Sequence, residues 1–460
     1  MADLIKNTVF TVTINGCSSS GDGVARIDGK VVFVKGAIEG ETCEVKILKS
    51  TKNISYAKIE KIIVPSPHRV DPPCPNFQKC GGCNFMHVDY SEELRIKQQR
   101  VNEALARIGG LDLKVSGIVG SDLEYRYRNK AIYAVSRENG KTVAGFYRAR
   151  SHSVIPIEQC LIQSEVFDRA VLAVTSWMDA YHISAYDESK CEGTVRHIFC
   201  RYAGSTDKVQ ITIVVGDNNI PHTDELISGI LKACPETSGI IINLNEKHDN
   251  TVLRGTFRTI WGSDFLEDTL CSLRFNLSPQ SFYQINRLQA EKLYNKAIEY
   301  AGLKDTETVL DLYCGTGTIT LCLSGHAKLA IGAEIAQAAI TDAYSNAQQN
   351  NIENVQFICA DAYDAAEQLK NSGIFPEVVV VDPPRKGLSP AVIQVIADLS
   401  PDRVVYISCD PATLARDLKL FSESGYLTQE ATAFDMFPKC AHVETVALLS
   451  KLKLTTAIEV

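Results

Sequence analysis

"TVLDLYCGTGTITLCL", Thr308 to Leu323, decides the fold class. An apolar strand runs into a glycine turn, and a helix follows. Gly315 and Gly317 let the backbone turn sharply and approach a ligand closely. The stretch has G-x-G without a third glycine, so it is not the dinucleotide-binding fingerprint. Further along, "LAIGAEI" ends on Glu334 just before its last residue, "VQFICA" is followed by Asp361, and "VVVVDPPRKG" carries Asp382 at its strand end. Together with Asp311, each of these acids sits where an apolar strand stops. An acid in such a place can hold ribose hydroxyls. From "LSPQSFYQINRLQAEKLYNKAIEYAGL" onward, helices and short apolar strands alternate, the pattern of a doubly wound, Rossmann-like α/β sheet.

A second stretch, "VVYISCDPATLARD" (Val404 to Asp417), places a cysteine at the ligand-binding edge of that sheet. Val404 to Ile407 form a buried strand, and Asp410-Pro411 breaks it. Cys409 therefore lies just past a carboxyl end, where open α/β sheets bind ligands. An isolated cysteine is usually only a small hydrophobe; its position here raises the question of chemistry.

The 460 residues are enough for two to four domains. Residues 1–65 read as about five short strands with an Asp28-Gly29 hairpin signal, an OB-like β-barrel. Lys46, Lys49, Lys52, Lys58 and Lys61 are interleaved there with aliphatic residues and Tyr56. The Pro-rich "PSPHRVDPPCPNF" marks a boundary, and a helix is expected from Ser91 to Ile108, stopped by Gly109-Gly110. Residues 66–275 read as a central α+β region and 276–460 as the catalytic domain. Overall charge is −8, yet residues 1–150 hold 23 Lys and Arg against 16 Asp and Glu. A basic first third on an acidic body is what an RNA-gripping module joined to an enzyme could look like. No apolar run reaches membrane-spanning length, and the N-terminus lacks a signal-peptide layout, so a cytoplasmic location is expected. No membrane association and no obligate protein partner are expected.

The 15 cysteines, in a reducing compartment, point to metal or catalysis rather than disulfides. Cys74, Cys80 and Cys83 give C-x5-C-x2-C, with Cys160 further on; four thiolates suit either Zn or an iron–sulfur cluster. The C-x3-C-x2-C spacing of radical chemistry is absent. Cys314 and Cys322 read as packing residues, and Cys440 has no assigned role.

The order acid, G-x-G, acid, acid, D-P-P resembles the class I S-adenosylmethionine (SAM)-dependent methyltransferases. Arg385 stands where enzymes that methylate exocyclic amines usually have an aromatic residue, which points away from that target. "SCDPATLARD" together with "DMFPKCAHVETVALL" resembles the RNA uracil-C5 methyltransferase family. Four motifs, from Phe282 to Glu444, lie in that family's order. The resemblance implies Cys409 as the nucleophile on uracil C6 and Glu444 as the base that removes the C5 proton. It implies Gln284, Tyr313, Glu334 and Asp382 as cofactor contacts, with Asp361 a further one, and Arg385 and Asp410 as supporting residues. The N-terminal barrel resembles the TRAM domain of members acting on ribosomal RNA. That branch carries a four-cysteine [4Fe–4S] cluster at positions matching Cys74, Cys80, Cys83 and Cys160, so the cluster is preferred over Zn. In the family the helix at about 91–117 packs back on the catalytic domain. The resemblance thus implies 23S ribosomal RNA as partner and 5-methyluridine as product. The alternatives are the same reaction on tRNA, or an inactive RNA-binding factor with a methyltransferase fold.

Overall fold

The computed structural model describes residues 4–148, 151–247 and 251–452. The chain forms two compact units: residues 1–100, 146–155 and 437–442 make the first, and the rest make the second.

In the first unit, strands β1 (Val9–Thr13), β2 (Gly16–Cys17), β3 (Gly23–Ile27), β4 (Lys30–Lys35), β5 (Thr42–Ser50) and β6 (Ile54–Val64) form one sheet in the order β1-β5-β6-β4-β3-β2. The expected hairpin is present: Asp28 and Gly29 both take positive φ, 51° and 81°, between β3 and β4. Two positive φ values in succession match the right-handed twist of the flanking strands. Period-2 alternation drives the closure. Val12, Val32, Val34, Val45, Ile47 and Ala57 point inward into an apolar core, while Phe33, Lys35, Lys49 and Tyr56 remain on the outer face. Helix α1 (Tyr90–Arg107) begins slightly earlier than the sequence signal at Ser91, because Asp89 caps it. The Asp89 Oδ1 accepts from the Glu92 N–H at 2.9 Å.

The second unit takes up the chain with Val101, Ala104 and Leu105, which lie in its main apolar core. Its elements are β7 (Ile118–Val119), β8 (Lys130–Glu138), β9 (Lys141–Tyr147, the last two residues belonging to the first unit), α2 (Glu165–Ala180), β11 (Val195–Ala203), β12 (Lys208–Val215), α3 (Thr223–Ala233), β13 (Thr237–Leu244) and β14 (Thr256–Gly262), while β10 (Val154–Pro156) falls in the first unit but for its last residue. A mixed sheet runs β9-β8-β11-β12-β13-β14. A two-stranded ribbon follows, β15 (Leu266–Leu270) with β16 (Leu273–Leu277).

The last portion alternates helix and strand: α4 (Arg287–Ala301), β17 (Thr308–Leu312), α5 (Thr318–Ser324), β18 (Leu329–Glu334), α6 (Gln337–Gln349), β19 (Val355–Cys359), α7 (Ala362–Asn371), β20 (Val378–Val381), α8 (Pro390–Leu399), β21 (Arg403–Ser408), α9 (Pro411–Glu423), β22 (Tyr426–Phe434) and β23 (Glu444–Lys451). The sheet order is β19-β18-β17-β20-β21-β23-β22-β7. β20 is four consecutive valines, all buried, as a strand covered on both faces requires. β17 and β20 are neighbours, yet the chain leaves β17 in one direction and returns to β20 from the other side. That reversal opens a crevice beyond their carboxyl ends.

One departure from an all-parallel sheet matters for the chemistry. β23 inserts antiparallel between β21 and β22. Its first residue therefore lies at the edge where the parallel strands end. Among the described residues no helix is long and apolar enough to cross a membrane.

Candidate active site

The glycine turn after β17 is built for close approach. Tyr313 adopts φ +72° and Gly317 φ +80°, and the N–H groups of Tyr313 and Cys314 both donate to the Ala333 carbonyl at 3.0 Å. A Cβ at Gly317 would meet Ala343 Cβ and the Phe357 ring at 3.1 Å, so packing as well as φ selects glycine there. Asn346, on α6, braces the same turn by donating from Nδ2 to the Thr316 carbonyl at 3.2 Å.

Carboxylates crowd the crevice. Asp311 is fully buried; its Oδ2 accepts from Thr320 Oγ1 at 2.6 Å, and its Oδ1 has no hydrogen-bond partner among the described residues. Burial pushes its carboxyl up to about 7, and the charges of Asp382 and Glu334 add to the rise. Asp382, at the end of β20, is also pushed up to about 7 by burial. Glu334 ends β18, and its Oε1 accepts from the Ala336 N–H at 2.9 Å. A glycine cradle beside clustered, incompletely satisfied acids suits a ligand with cationic groups and hydroxyls. SAM, with its sulfonium, ammonium and ribose, fits that donor set.

Gln284 is buried ahead of α4, its carbonyl accepting from Asn129 Nδ2 at 2.8 Å. Asp361 is exposed and caps α7, accepting from the N–H groups of Tyr363 and Asp364 at 2.9 Å. That capping role accounts for an acid at this position without a ligand. Burial raises the Tyr313 phenol, and Asp361 nonetheless lies close enough for its charge to add to that rise.

Cys409 follows β21 and is half-buried. The register Ser408↔Thr445 is the last paired rung of β21 with β23. Continued by one residue, it sets Cys409 opposite Glu444. Burial pushes the Cys409 thiol up to about 12; Glu444 and Asp382 raise it further, and Arg385 works against them. Glu444 is buried, and its carboxyl is pushed up to about 8 by burial and then by Asp382, with Arg385 again lowering it. A thiol, a carboxyl near neutrality and a guanidinium thus share one field at the crevice. Asp410 caps α9, its Oδ1 accepting from the Ala412 N–H at 2.9 Å and the Thr413 N–H at 3.1 Å.

Sequence reasoning missed Asp417, although it ends the very stretch that singled out Cys409. Asp417 is fully buried, and its Oδ2 accepts from Tyr406 Oη at 2.6 Å and from the Leu388 N–H at 2.8 Å. Arg416 donates to its Oδ1 at 2.7 Å and to the Lys386 and Leu388 carbonyls. Thr413 Oγ1 donates to the Arg385 carbonyl at 3.2 Å. These contacts fasten the Pro383–Leu388 loop, and so Arg385, to the strand and helix flanking Cys409.

The cysteine expectation fares differently. Cys74, Cys80 and Cys83 lie in the first unit and Cys160 in the second. Among the described residues no group of three or more His, Cys, Asp or Glu side chains is arranged to hold a metal ion. Burial raises the Cys80 thiol, and Cys74 and Cys440 add to the rise. Cys440 Sγ donates to the Gly82 carbonyl at 3.2 Å.

Residues 254–452 match the family described as tRNA (Uracil-5-)-methyltransferase, and residues 5–59 match the TRAM domain. A protein of Clostridium tetani named as an uncharacterized RNA methyltransferase is 42% identical, with 97% of each chain covered. One from Clostridium acetobutylicum, likewise named, is also 42% identical over 97% of this chain and 98% of its own. Among solved structures, the Pyrococcus abyssi tRNA (uracil-54, C5)-methyltransferase in complex with S-adenosyl-L-homocysteine superposes with a TM-score of 0.77. It is 26% identical, covering 95% of this chain and 99% of that one. With relatives of this similarity along almost its whole length, the chain belongs to the SAM-dependent RNA uracil-C5 methyltransferase family.

Proposed function

We propose that this protein methylates C5 of uridine in 23S ribosomal RNA, with Cys409 as nucleophile and Glu444 as base. The meeting of Cys409, one residue past β21, with Glu444, the first residue of the neighbouring β23, is the observation that carries the reading. Uracil C5 is too weak a carbon nucleophile to take a methyl group unaided. The Cys409 thiol gives its proton to solvent as the sulfur bonds to C6, and the C5=C6 electron pair moves into an enolate; solvent returns that proton when the sulfur is later released. SAM supplies an electrophilic methyl group, and Gln284, Tyr313, Glu334 and Asp382, with Asp361 a further contact, are the residues that would hold it. C5 becomes tetrahedral once methylated. Glu444 then removes the C5 proton, the C5=C6 bond re-forms, the C6–S bond breaks, and the sulfur leaves as thiolate. Arg385 offsets the negative charge at both Cys409 and Glu444. The target base has to leave its stack to reach this crevice, which favours a loop or single-stranded segment.

The "DMFP" sequence supports ribosomal RNA as the substrate, since members of the resembled family that act on tRNA tend to read "DQFP" there. The TRAM domain does not discriminate, because the Pyrococcus abyssi protein covers 95% of this chain. The names of the matched family and of the Pyrococcus abyssi protein favour a second reading, the same reaction on tRNA. The cysteine spacing supports a [4Fe–4S] cluster, or Zn, on Cys74, Cys80, Cys83 and Cys160; the side-chain arrangement does not by itself supply the ligand group. No step of the reaction is assigned to it, and iron, sulfide and zinc content of anaerobically purified protein decides it.

The deciding experiment supplies methyl-labelled SAM with unmodified 23S ribosomal RNA or bulk tRNA, and then maps 5-methyluridine. Label at discrete ribosomal uridines is expected. Label in tRNA alone would keep the chemistry and replace the substrate; label in neither would favour an RNA-binding factor.

A further inference from the structure

The outer face of the first unit's barrel carries a feature that methyl transfer does not use. β4 pairs with β6 so that Phe33 lies beside Tyr56, and β5 pairs with β6 so that Lys49 lies beside Tyr56. These three outward side chains therefore form one row across three strands. The next outward row is entirely basic: Lys35 pairs with Lys58, and Lys58 with Lys46. The Phe33 and Tyr56 rings have centroids 5.7 Å apart and planes tilted by 35°, so they are adjoining facets of a floor rather than a stacked pair.

Above this floor is a cavity of about 530 Å³. Its opposite wall is the loop from Phe77 to Asn84, held against the barrel where Lys35 Nζ donates to the Gln78 carbonyl at 3.2 Å. Gly36, at φ +73°, lies directly beneath the Gln78 amide, where a Cβ would be 2.6 Å from Nε2. Gln78 itself has φ +67° and an exposed side chain at the cavity. The one acid in the lining, Asp22, accepts from the Ser20 hydroxyl at 3.0 Å.

We infer that this cavity is a capture site for one unpaired ribonucleotide of the substrate RNA, separate from the base that is methylated. The base would lie on the Tyr56–Phe33 floor, its phosphates between Lys35 and Lys49, and the Gln78 amide would meet the base edge. Aromatic floors stack any base, and flanking ammonium groups neutralise phosphate, so the pairing of the two is the chemistry of single-strand binding. Lys58 of the basic row is already paired with Glu60 at 2.9 Å, but Lys35 and Lys49 both face the cavity, and a neutral peptide would leave them unmatched. The inference rests on the reading that the substrate is RNA and adds where a second nucleotide is gripped.

The test is photo-crosslinking of the full-length protein to a single-stranded oligoribonucleotide carrying 4-thiouridine, with mapping of the crosslinked peptides and titration of affinity. Crosslinks to the Phe33 or Tyr56 peptides are expected. Tyr56→Ala should weaken binding by about ten- to a hundredfold, as loss of one stacked base implies, while Tyr56→Phe keeps the ring and retains affinity. Both side chains point away from the barrel core, and thermal unfolding checks that each variant folds. Wild-type affinity in both Phe33→Ala and Tyr56→Ala, with crosslinks elsewhere, would overturn the capture site and leave the methyltransferase reading intact. Crosslinking at Tyr56 by a protein that methylates no RNA would keep the capture site and overturn the other reading.

Discussion

Cys409 and Glu444 stand one residue beyond Ser408↔Thr445, the last paired rung between β21 and β23. Their side chains lie near enough for the Glu444 charge to raise the Cys409 thiol. The two groups need no loop closure to meet, because the antiparallel insertion of β23 delivers the acid to the edge where β21 delivers the thiol. Both groups also feel Asp382 and Arg385.

Replacing the sulfur separates binding from chemistry. Cys409→Ala removes the atom that bonds to C6 and leaves the glycine turn and the acids of β17, β18 and β20 in place. Turnover on RNA should fall below detection, and SAM affinity, measured by calorimetry, should stay within about twofold. Methylation at the wild-type rate by this variant would exclude thiol addition as the mechanism.

Glu444→Gln keeps the size of the side chain and removes the base. Addition and methyl transfer can proceed, but elimination cannot, so covalent protein–RNA adduct should accumulate as a band that survives denaturing electrophoresis. In the native protein the carboxyl, pushed up to about 8, must lose its proton to act as base. The rate of adduct decay should therefore rise with pH through about 8 and then level off. A flat profile, or no adduct in the variant, would remove Glu444 from this role.

Much of this site was legible before any coordinates, because strand ends, glycine turns and acids mark themselves locally. Asp311, Glu334 and Asp382 each terminate a short apolar run, and all three share one crevice. Asp361 follows the same local rule and also caps a helix, since the signal for a strand-end acid and for an N-cap is identical. The antiparallel placement of β23 has no local mark: "TVALLSK" holds a short apolar run like any buried strand, and only pairing reveals its direction. Asp417 was invisible for a related reason. A charged residue within a helical stretch reads as a solvated face, and its burial follows from Tyr406 and Leu388 reaching it from elsewhere in the chain.

Asp311 makes the apoprotein's stability depend on pH. Its carboxyl rises from 3.8 to about 7 on folding, so the folded state holds a proton that the unfolded chain releases. The stabilisation is complete below the unfolded value and is lost as pH climbs through about 7. Asp311→Asn keeps an acceptor for Thr320 Oγ1 and carries no charge. Relative to the native protein it should gain on the order of 2–4 kcal/mol between pH 4 and pH 8. Urea unfolding at the two pH values measures this; a parallel pH dependence in both proteins would place the proton uptake elsewhere.

Asp417 should matter to both stability and turnover without touching the substrate. Asp417→Ala strands two buried donors, the Tyr406 hydroxyl and the Leu388 N–H, at a cost of about 1–3 kcal/mol each, and frees the loop that carries Arg385. Tyr406→Phe removes one donor but leaves the Leu388 and Arg416 contacts, so the loop stays fastened and the loss should be about 1 kcal/mol. The two variants therefore separate a stabilising hydrogen bond from a positioning one. If Asp417 positions Arg385, the alanine variant loses kcat more than tenfold at temperatures where it is still folded, and Tyr406→Phe loses little. Because Arg385 holds down the thiol and the Glu444 carboxyl, the alanine variant should also move the pH profile of adduct decay upward. An unshifted profile with reduced stability alone would confine Asp417 to the fold.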